Sequence, residues 1–280
     1  MVAVSSYPPV KHVLRDLALT VQHHEDGTSV GRLPVVDALL DDHGRVRAGI
    51  LATLVDAIGG GLAAYAAAPG WIATADLDLQ LFGTLTGLSG IDAIGRVLRA
   101  GRSTVVISVE LTSRTEPVGL GTMTFAVLPR RETNPVMPED RVTGPQSLIS
   151  GPVSGFPVAV LDALGIRTLE PAAGVVELDP TAYVENSLGA VQGGVVACIV
   201  ERAAELALSH AAGRPLAPFG LQIAYLALAR QGPIRSSVDV LGVEPVGSRW
   251  GTARVELFDA SADRRTTVAR VAAALPEIRS

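Results

Sequence analysis

Asp41-Asp-His-Gly44-Arg-Val-Arg47-Ala-Gly49-Ile-Leu-Ala-Thr-Leu-Val-Asp56 and Asn186-Ser-Leu-Gly189-Ala-Val-Gln192-Gly-Gly194-Val-Val-Ala-Cys-Ile-Val-Glu201 are two versions of one pattern. Each numbered residue of the second lies 145 positions after its counterpart in the first (186 − 41, 201 − 56), and Val46/Val191, Ala52/Ala197 and Val55/Val200 keep the same register. A register shared by polar, glycine and apolar positions argues for two copies of one domain. In each copy a carboxylate interrupts an apolar stretch that reads as a helix. The copies differ at the positions where chemistry would sit.

Working outward, the chain divides into a first domain at 11–130, a linker at 131–152 rich in proline and polar residues, and a second domain at 153–276. The expected order is the same in both. The first has a strand over Leu17 to His23, a polar turn and a helix over Ala48 to Ala68. Strands near Ile72–Phe82, Ile91–Ala100, Thr104–Ser113 and Gly119–Leu128 follow. The second has a helix over Gly193 to Ala212, then strands near Phe219–Ala229, Ile234–Val243, Trp250–Phe258 and Thr266–Ala274. One helix followed by meandering strands predicts an α+β fold with an antiparallel sheet, and two such units would pack as a pseudo-dimer. In the first strand after the helix, Thr74, Asp76, Asp78 and Gln80 alternate with Ala75, Leu77, Leu79 and Leu81, which places the four polar residues on one face.

Composition supports a packed protein: 280 residues, 48% hydrophobic and only 18% charged, suffice for two cores. A net charge of −5 gives no electrostatic case for nucleic acid or an anionic membrane. A single cysteine, Cys198, excludes an intrachain disulfide and lies in an apolar run as a buried small hydrophobe. With no sign of an oxidising compartment, and with Met1 to Val10 reading as a short lead-in without signal-peptide character, a cytoplasmic location is expected. Ala48 to Ala75 carries one charge, Asp56, and is long enough to cross a bilayer. Its counterpart holds Glu201, Arg202 and Glu205, and its own Gly59-Gly60-Gly61 and Pro69-Gly70 favour a buried core helix, so no membrane insertion is expected.

The spacing resembles the PaaI-like hotdog-fold acyl-CoA thioesterases, here duplicated as a double hotdog. In that family a loop Asn or Gln is followed seven residues later by a glycine that starts the central helix, and fifteen residues later by a catalytic Asp or Glu. Asn186, Gly193 and Glu201 match at all three places; in the first copy Asp56 matches, while Asp41 replaces the amide and Ala48 the glycine. A family His-Gly-Gly at the helix start becomes Gln192-Gly193-Gly194 and Arg47-Ala48-Gly49. Some members carry a hydroxyl eighteen residues after the carboxylate; Thr74 stands there, but the second copy offers Phe219, or Pro218 with a one-residue deletion. The resemblance implies a tandem of antiparallel sheets, each wrapped around one long helix, and sites composed across the interface. One combines Asn186 and Gly193 with Asp56 and Thr74. The other, degenerate, combines Asp41 and Ala48 with Glu201. Gln192, Gly194, Gly59, Gly60 and Arg102 are candidate substrate contacts. No cofactor or metal is implied, and a homodimer of double-hotdog chains is left open.

The residue types suit thioester hydrolysis. N–H groups at a helix start lack intrahelical partners and sit at the positive end of the dipole, where a developing oxyanion is stabilised. Asp56 would be a general base, or a nucleophile forming a transient anhydride. Burial would raise its pKa and a facing helix N-terminus would lower it. Asn186 would hold the thioester or water, or simply cap or shape the turn before the helix; Gln192 reads as a cap, Glu201 equally as an ion-pair partner of Arg202 or another cation, and Arg102 as an exposed turn residue or, by the resemblance, a contact near the CoA phosphates. Gly59 and Gly60 leave one flank of the helix bare, for substrate or for packing on the sheet. A non-catalytic acyl-CoA-binding protein is the alternative, motivated by Arg47 and Gln192 in place of histidine; a hotdog enoyl-CoA hydratase is disfavoured by the lack of a paired Asp and His. The five histidines show no metal-ligand spacing, and no Gly-x-Ser-x-Gly elbow or phosphate loop is present.

Overall fold

The computed structural model describes residues 7–132, 144–147, 155–243 and 249–276. Of the expected lead-in and linker, 1–6, 133–143 and 148–152 lie outside the described residues.

A short helix α1 (Val13–Asp16) and strands β1 (Thr20–His23) and β2 (Ser29–Pro34) lead to the 20-residue helix α2 (Ala48–Ala67). Then come β3 (Trp71–Leu81), β4 (Gly90–Ala100), β5 (Thr104–Ser113), β6 (Glu116–Leu128) and β7 (Gly144–Ser147). The remainder is α3 (Val160–Leu164), β8 (Arg167–Glu170), β9 (Val175–Leu178), α4 (Gly193–Ala212), β10 (Ala217–Tyr225), β11 (Ile234–Val243), β12 (Trp250–Asp259) and β13 (Arg264–Ala274). The strand expected over Leu17 to His23 is shorter, and the region read as a polar turn contains β2. Ser29, Gly31 and Pro34 disguised it, because pairing on both sides, not propensity, makes this segment a strand. Within the segment read as a linker, β7 pairs with β1.

Among the described residues the strands form one antiparallel sheet in the order β7-β1-β2-β4-β5-β6-β3-β10-β13-β12-β11-β9-β8. Outward from the central β3–β10 pair the order is mirrored: β6 and β13, β5 and β12, β4 and β11, β2 and β9, β1 and β8. Asp78 pairs with Gln222 at the middle of that register, and Gln222 Nε2 donates to Asp78 Oδ2 at 3.0 Å.

The alternation expected in β3 breaks where it matters. The β3–β6 register shifts between Thr74 and Asp76, so Ala75 is the extra residue of a bulge. Leu77, Leu79 and Leu81 face the core as expected, but Thr74 turns toward α2 instead of sharing a face with Asp76, Asp78 and Gln80. The same bulge recurs between Pro218 and Gly220 in β10, which makes Pro218 the counterpart of Thr74.

Both long helices lie on the inner face of the sheet and pack on each other. Pro69 stops α2 because it has no N–H to continue the ladder. Gly213, at φ 64, closes α4, with its own N–H on His210 O and that of Arg214 on Ser209 O. By length and composition α2 could cross a membrane, yet 67% of its most apolar window is buried in this fold. Gly49, Thr53 and Asp56 form an i, i+4, i+7 stripe on α2 that faces Gly194, Cys198 and Glu201 on α4. A Cβ on Gly49 would lie 2.6 Å from Cys198 Cα, and one on Gly194 2.6 Å from Thr53 Cβ. At this crossing the backbones touch without intervening side chains.

Gly49→Ala must push the helices apart against a packed sheet. It is expected to lower the unfolding free energy by about 1–3 kcal/mol, as overpacking does, read from the denaturant midpoint at unchanged slope.

Candidate active site

Two loops of identical design deliver the chain to the two helix starts. Asp41 Oδ1 accepts from the N–H of His43 (2.8 Å) and Arg45 (2.9 Å), and Asn186 Oδ1 from those of Leu188 (2.9 Å) and Ala190 (3.3 Å). Gly44 and Gly189 take the left-handed conformation each turn needs, at φ 72 and 67. Either side chain shapes the turn with one oxygen, and the difference lies in the remaining group: Asn186 keeps an NH2 donor and Asp41 a second acceptor. Asn186 borders the cavity described below, and no described residue accepts from its Nδ2.

At the start of α4, Gln192 Oε1 accepts from Val195 N–H at 3.1 Å, the cap read from sequence. That bond fixes the orientation of the amide, so Nε2 points across the helix pair and donates to Asp56 Oδ2 at 2.6 Å. Thr74, turned inward by the bulge, donates to Asp56 Oδ1 at 3.0 Å. Burial raises the Asp56 pKa to about 6, while the Thr74 bond and the Gly194 N–H hold it down. A Cβ on Gly193 would stand 3.0 Å from Asp56 Oδ2. No acceptor among the described residues takes the Gly193 N–H.

The opposite pair is closed. Glu201, 3% exposed, accepts from Ala48 N–H through Oε1 (2.8 Å) and Gly49 N–H through Oε2 (2.9 Å), so it caps α2 with both oxygens. Burial raises its pKa, and Arg47 and the two N–H groups oppose the rise. Arg47 and Arg202 both reach Glu205, at 3.2 and 3.0 Å. Glu205, not Glu201, is therefore the ion-pair partner of Arg202. Buried Pro218 stands where Thr74 stands in the other half.

A cavity of 510 Å³ opens beside Asp56. Thr74, Asn186, Gln192 and Gly193 border it, and Ala57, Gly60, Gly61, Ala64, Trp71 and Ile72 form an apolar arm along α2. The corresponding hollow in the other half, lined by Leu81, Phe82, Ala217 and Phe219 among others, is 170 Å³ and does not reach Glu201. Gly59 faces Met123 and Phe125 of the sheet, so its role is packing, whereas Gly60 and the neighbouring Gly61 line the cavity. Gly194 serves through its backbone and the helix crossing. Arg102 is exposed at the β4–β5 tip and does not line the cavity. Tyr225 was missed in the sequence: its ring lines the wall and its hydroxyl donates to Gly193 O at 2.9 Å. The available signal was its replacement of Leu81 at the matching strand position. Among the described residues no cluster of three His, Cys, Asp or Glu could hold a metal.

No family model matches the chain, and no curated protein matches it by sequence. Solved structures do. A protein from Thermobifida fusca, described as a candidate thioesterase II, superimposes with a TM-score of 0.61 at 16% identity over 95% of this chain and 98% of its own. A protein of unknown function with a hotdog fold from Alicyclobacillus acidocaldarius gives 0.60 at 12% identity over 95% and 98%. An acyl-ACP thioesterase from Bacteroides thetaiotaomicron gives 0.57 at 12% identity over 89% and 98%. These likenesses show the fold, a hotdog with a large antiparallel sheet.

Because the folded-state pKa of Asp56 lies above its unfolded value, the folded state binds the extra proton. Its contribution to stability is fully present below pH about 4 and is lost as pH rises through about 6. Asp56→Asn should flatten that slope, which melting temperatures of the variant and wild type at pH 4.5 and 7.5 would read.

Proposed function

We propose that this chain is a double hotdog that hydrolyses acyl-CoA thioesters to free acid and CoA at one composite site between its two units. The units are 11–130 and 153–276, joined by 131–152. The mirrored strand order and the repeated loop, bulge and helix crossing support that division. The observation that carries the function is the Gly193 N–H, unshared among the described residues, at a glycine that abuts Asp56 and borders an apolar cavity.

In this reading the thioester oxygen lies on the Gly193 N–H, at the positive end of α4, and Asn186 Nδ2 supplies a further donor. Water attacks the carbonyl carbon while Asp56 takes its proton. Thr74 and Gln192 occupy two of the roughly four lone-pair directions of the carboxylate and the Gly194 N–H faces it, which leaves room for that water. The tetrahedral intermediate collapses with loss of the CoA thiolate, which takes up a proton. The acyl group lies in the arm along Ala57, Gly60, Gly61 and Ala64, where a helical rise of about 1.5 Å per residue gives roughly 10 Å of apolar wall. A base with a pKa near 6 is ionised at neutral pH, so kcat/KM should rise with pH through that value. Glu201 lacks the two features this reading needs: its own oxygens take the helix-start N–H groups that would face a substrate, and the hollow in its half does not reach it.

Release of free thiol from a panel of acyl-CoA and acyl-carrier-protein thioesters tests the proposal; binding without release at every acyl length would favour the non-catalytic reading. Asp56→Asn should lower kcat by about two or more powers of ten, while Glu201→Gln leaves it within a few-fold after matching the two for thermal stability. Equal losses would mean two working sites. Gly60→Leu fills the arm and should depress kcat/KM for long acyl chains far more than for acetyl-CoA.

A further inference from the structure

We propose that Tyr225 is a positioning residue that acts on Asp56 through the peptide group joining Gly193 and Gly194. This rests on Asp56 as the base. The Tyr225 hydroxyl donates to Gly193 O at 2.9 Å. That carbonyl and the Gly194 N–H belong to one planar amide, and the N–H faces the Asp56 carboxylate. Phenol, amide and carboxylate thus stand in sequence beside a Gly193 that abuts Asp56, and a donor on the amide oxygen polarises the N–H that faces the carboxylate.

The arrangement answers a local weakness. Two successive glycines open α4, and without side chains they carry the largest conformational freedom a helix start can have. The Gln192 cap closes over this turn and Gly194 packs on Thr53, and Tyr225 adds a hold on the Gly193–Gly194 peptide from the cavity side. The same anchor sets the direction of the adjoining Gly193 N–H. Nothing equivalent exists at the closed pair, where Leu81 occupies the matching strand position and Glu201 itself holds the first turn of α2.

The phenol is suited to donate at every working pH, since burial and then the nearby Asp56 charge push its own pKa well above the ordinary value. The groups facing Asp56 are Thr74 from β3, Gln192 from α4, Tyr225 from β10 and Tyr7 from the N-terminal segment. Of these only the two tyrosines titrate, and the pKa of each is raised. Removing the Tyr225 hydroxyl therefore weakens one donor to the Asp56 carboxylate without introducing a competing ionisation.

Tyr225→Phe keeps the ring and its packing. Two titrations decide the matter: the pH dependence of kcat/KM with an acyl-CoA substrate, and the carboxyl infrared band of Asp56, identified by its loss in Asp56→Asn. The expected result is an upward move of both midpoints by about half a pH unit, a kcat lowered roughly three- to ten-fold, and KM within about two-fold. Tyr225→Leu, which installs the residue of the closed half, should move the infrared midpoint in the same direction. An unmoved infrared midpoint in both variants overturns the proposal, even if melting temperature falls, because a merely structural tyrosine would lower stability without retuning Asp56. Should wild type release thiol from no thioester, the hydrolase reading fails, while the infrared titration still decides the role of Tyr225.

Discussion

Everything at the centre of this molecule depends on two helix backbones meeting at Gly49 and Gly194. The contact holds because each glycine faces a small partner, Cys198 or Thr53, on an antiparallel neighbour. Once the axes are that close, the i, i+7 spacing carries a carboxylate from each helix to the first turn of the other: Asp56 to Gly193 and Gly194, Glu201 to Ala48 and Gly49. Any larger residue at the crossing would move both carboxylates out of reach together. Fold and site are thus specified by the same pair of glycines.

Within that shared geometry the decisive difference is one methylene. Glu201 is long enough to take two N–H groups at 2.8 and 2.9 Å, and its end of the helix pair becomes a satisfied cap flanked by Arg47 and Glu205. Asp56 stops short. Its carboxylate is held by side chains, Thr74 and Gln192, and no acceptor among the described residues takes the Gly193 N–H opposite. The first arrangement favours stability, since buried charge and orphan donors cancel. The second leaves a donor unmet and a carboxylate pushed toward neutrality, the combination that a polar substrate atom relieves.

Much of this was legible in the sequence because the signals were local and repeated. The bounds of α4 follow from Gln192-Gly193-Gly194 at one end and Gly213 at the other, and α2 ends one residue before its expected limit because Pro69 is adjacent. The polar alternation of β3 was legible too, but the bulge at Ala75 was not, since an inserted residue leaves no mark in a period of two. Thr74 was therefore chosen by its spacing from Asp56 while its expected direction was wrong. Gln192 was read as a cap, and its second contact, 136 residues away along the chain, depended on the helix crossing angle. Tyr225 carries no local signal in its strand, and its contact is visible only once its hydroxyl finds Gly193 O.

On the tandem reading, covalent linkage explains why the two ends differ. In a symmetric dimer of single units every substitution appears in both sites, so a residue that closes one closes the other. In one chain each copy varies alone. Arg47, Ala48, Pro218 and Glu201 can then turn one end into a structural cap, while Gln192, Gly193, Thr74 and Asp56 keep the other open toward its cavity. The closed end stabilises the helix crossing on which the open end depends, so the cap that Glu201 forms strengthens the frame that holds Asp56 against Gly193.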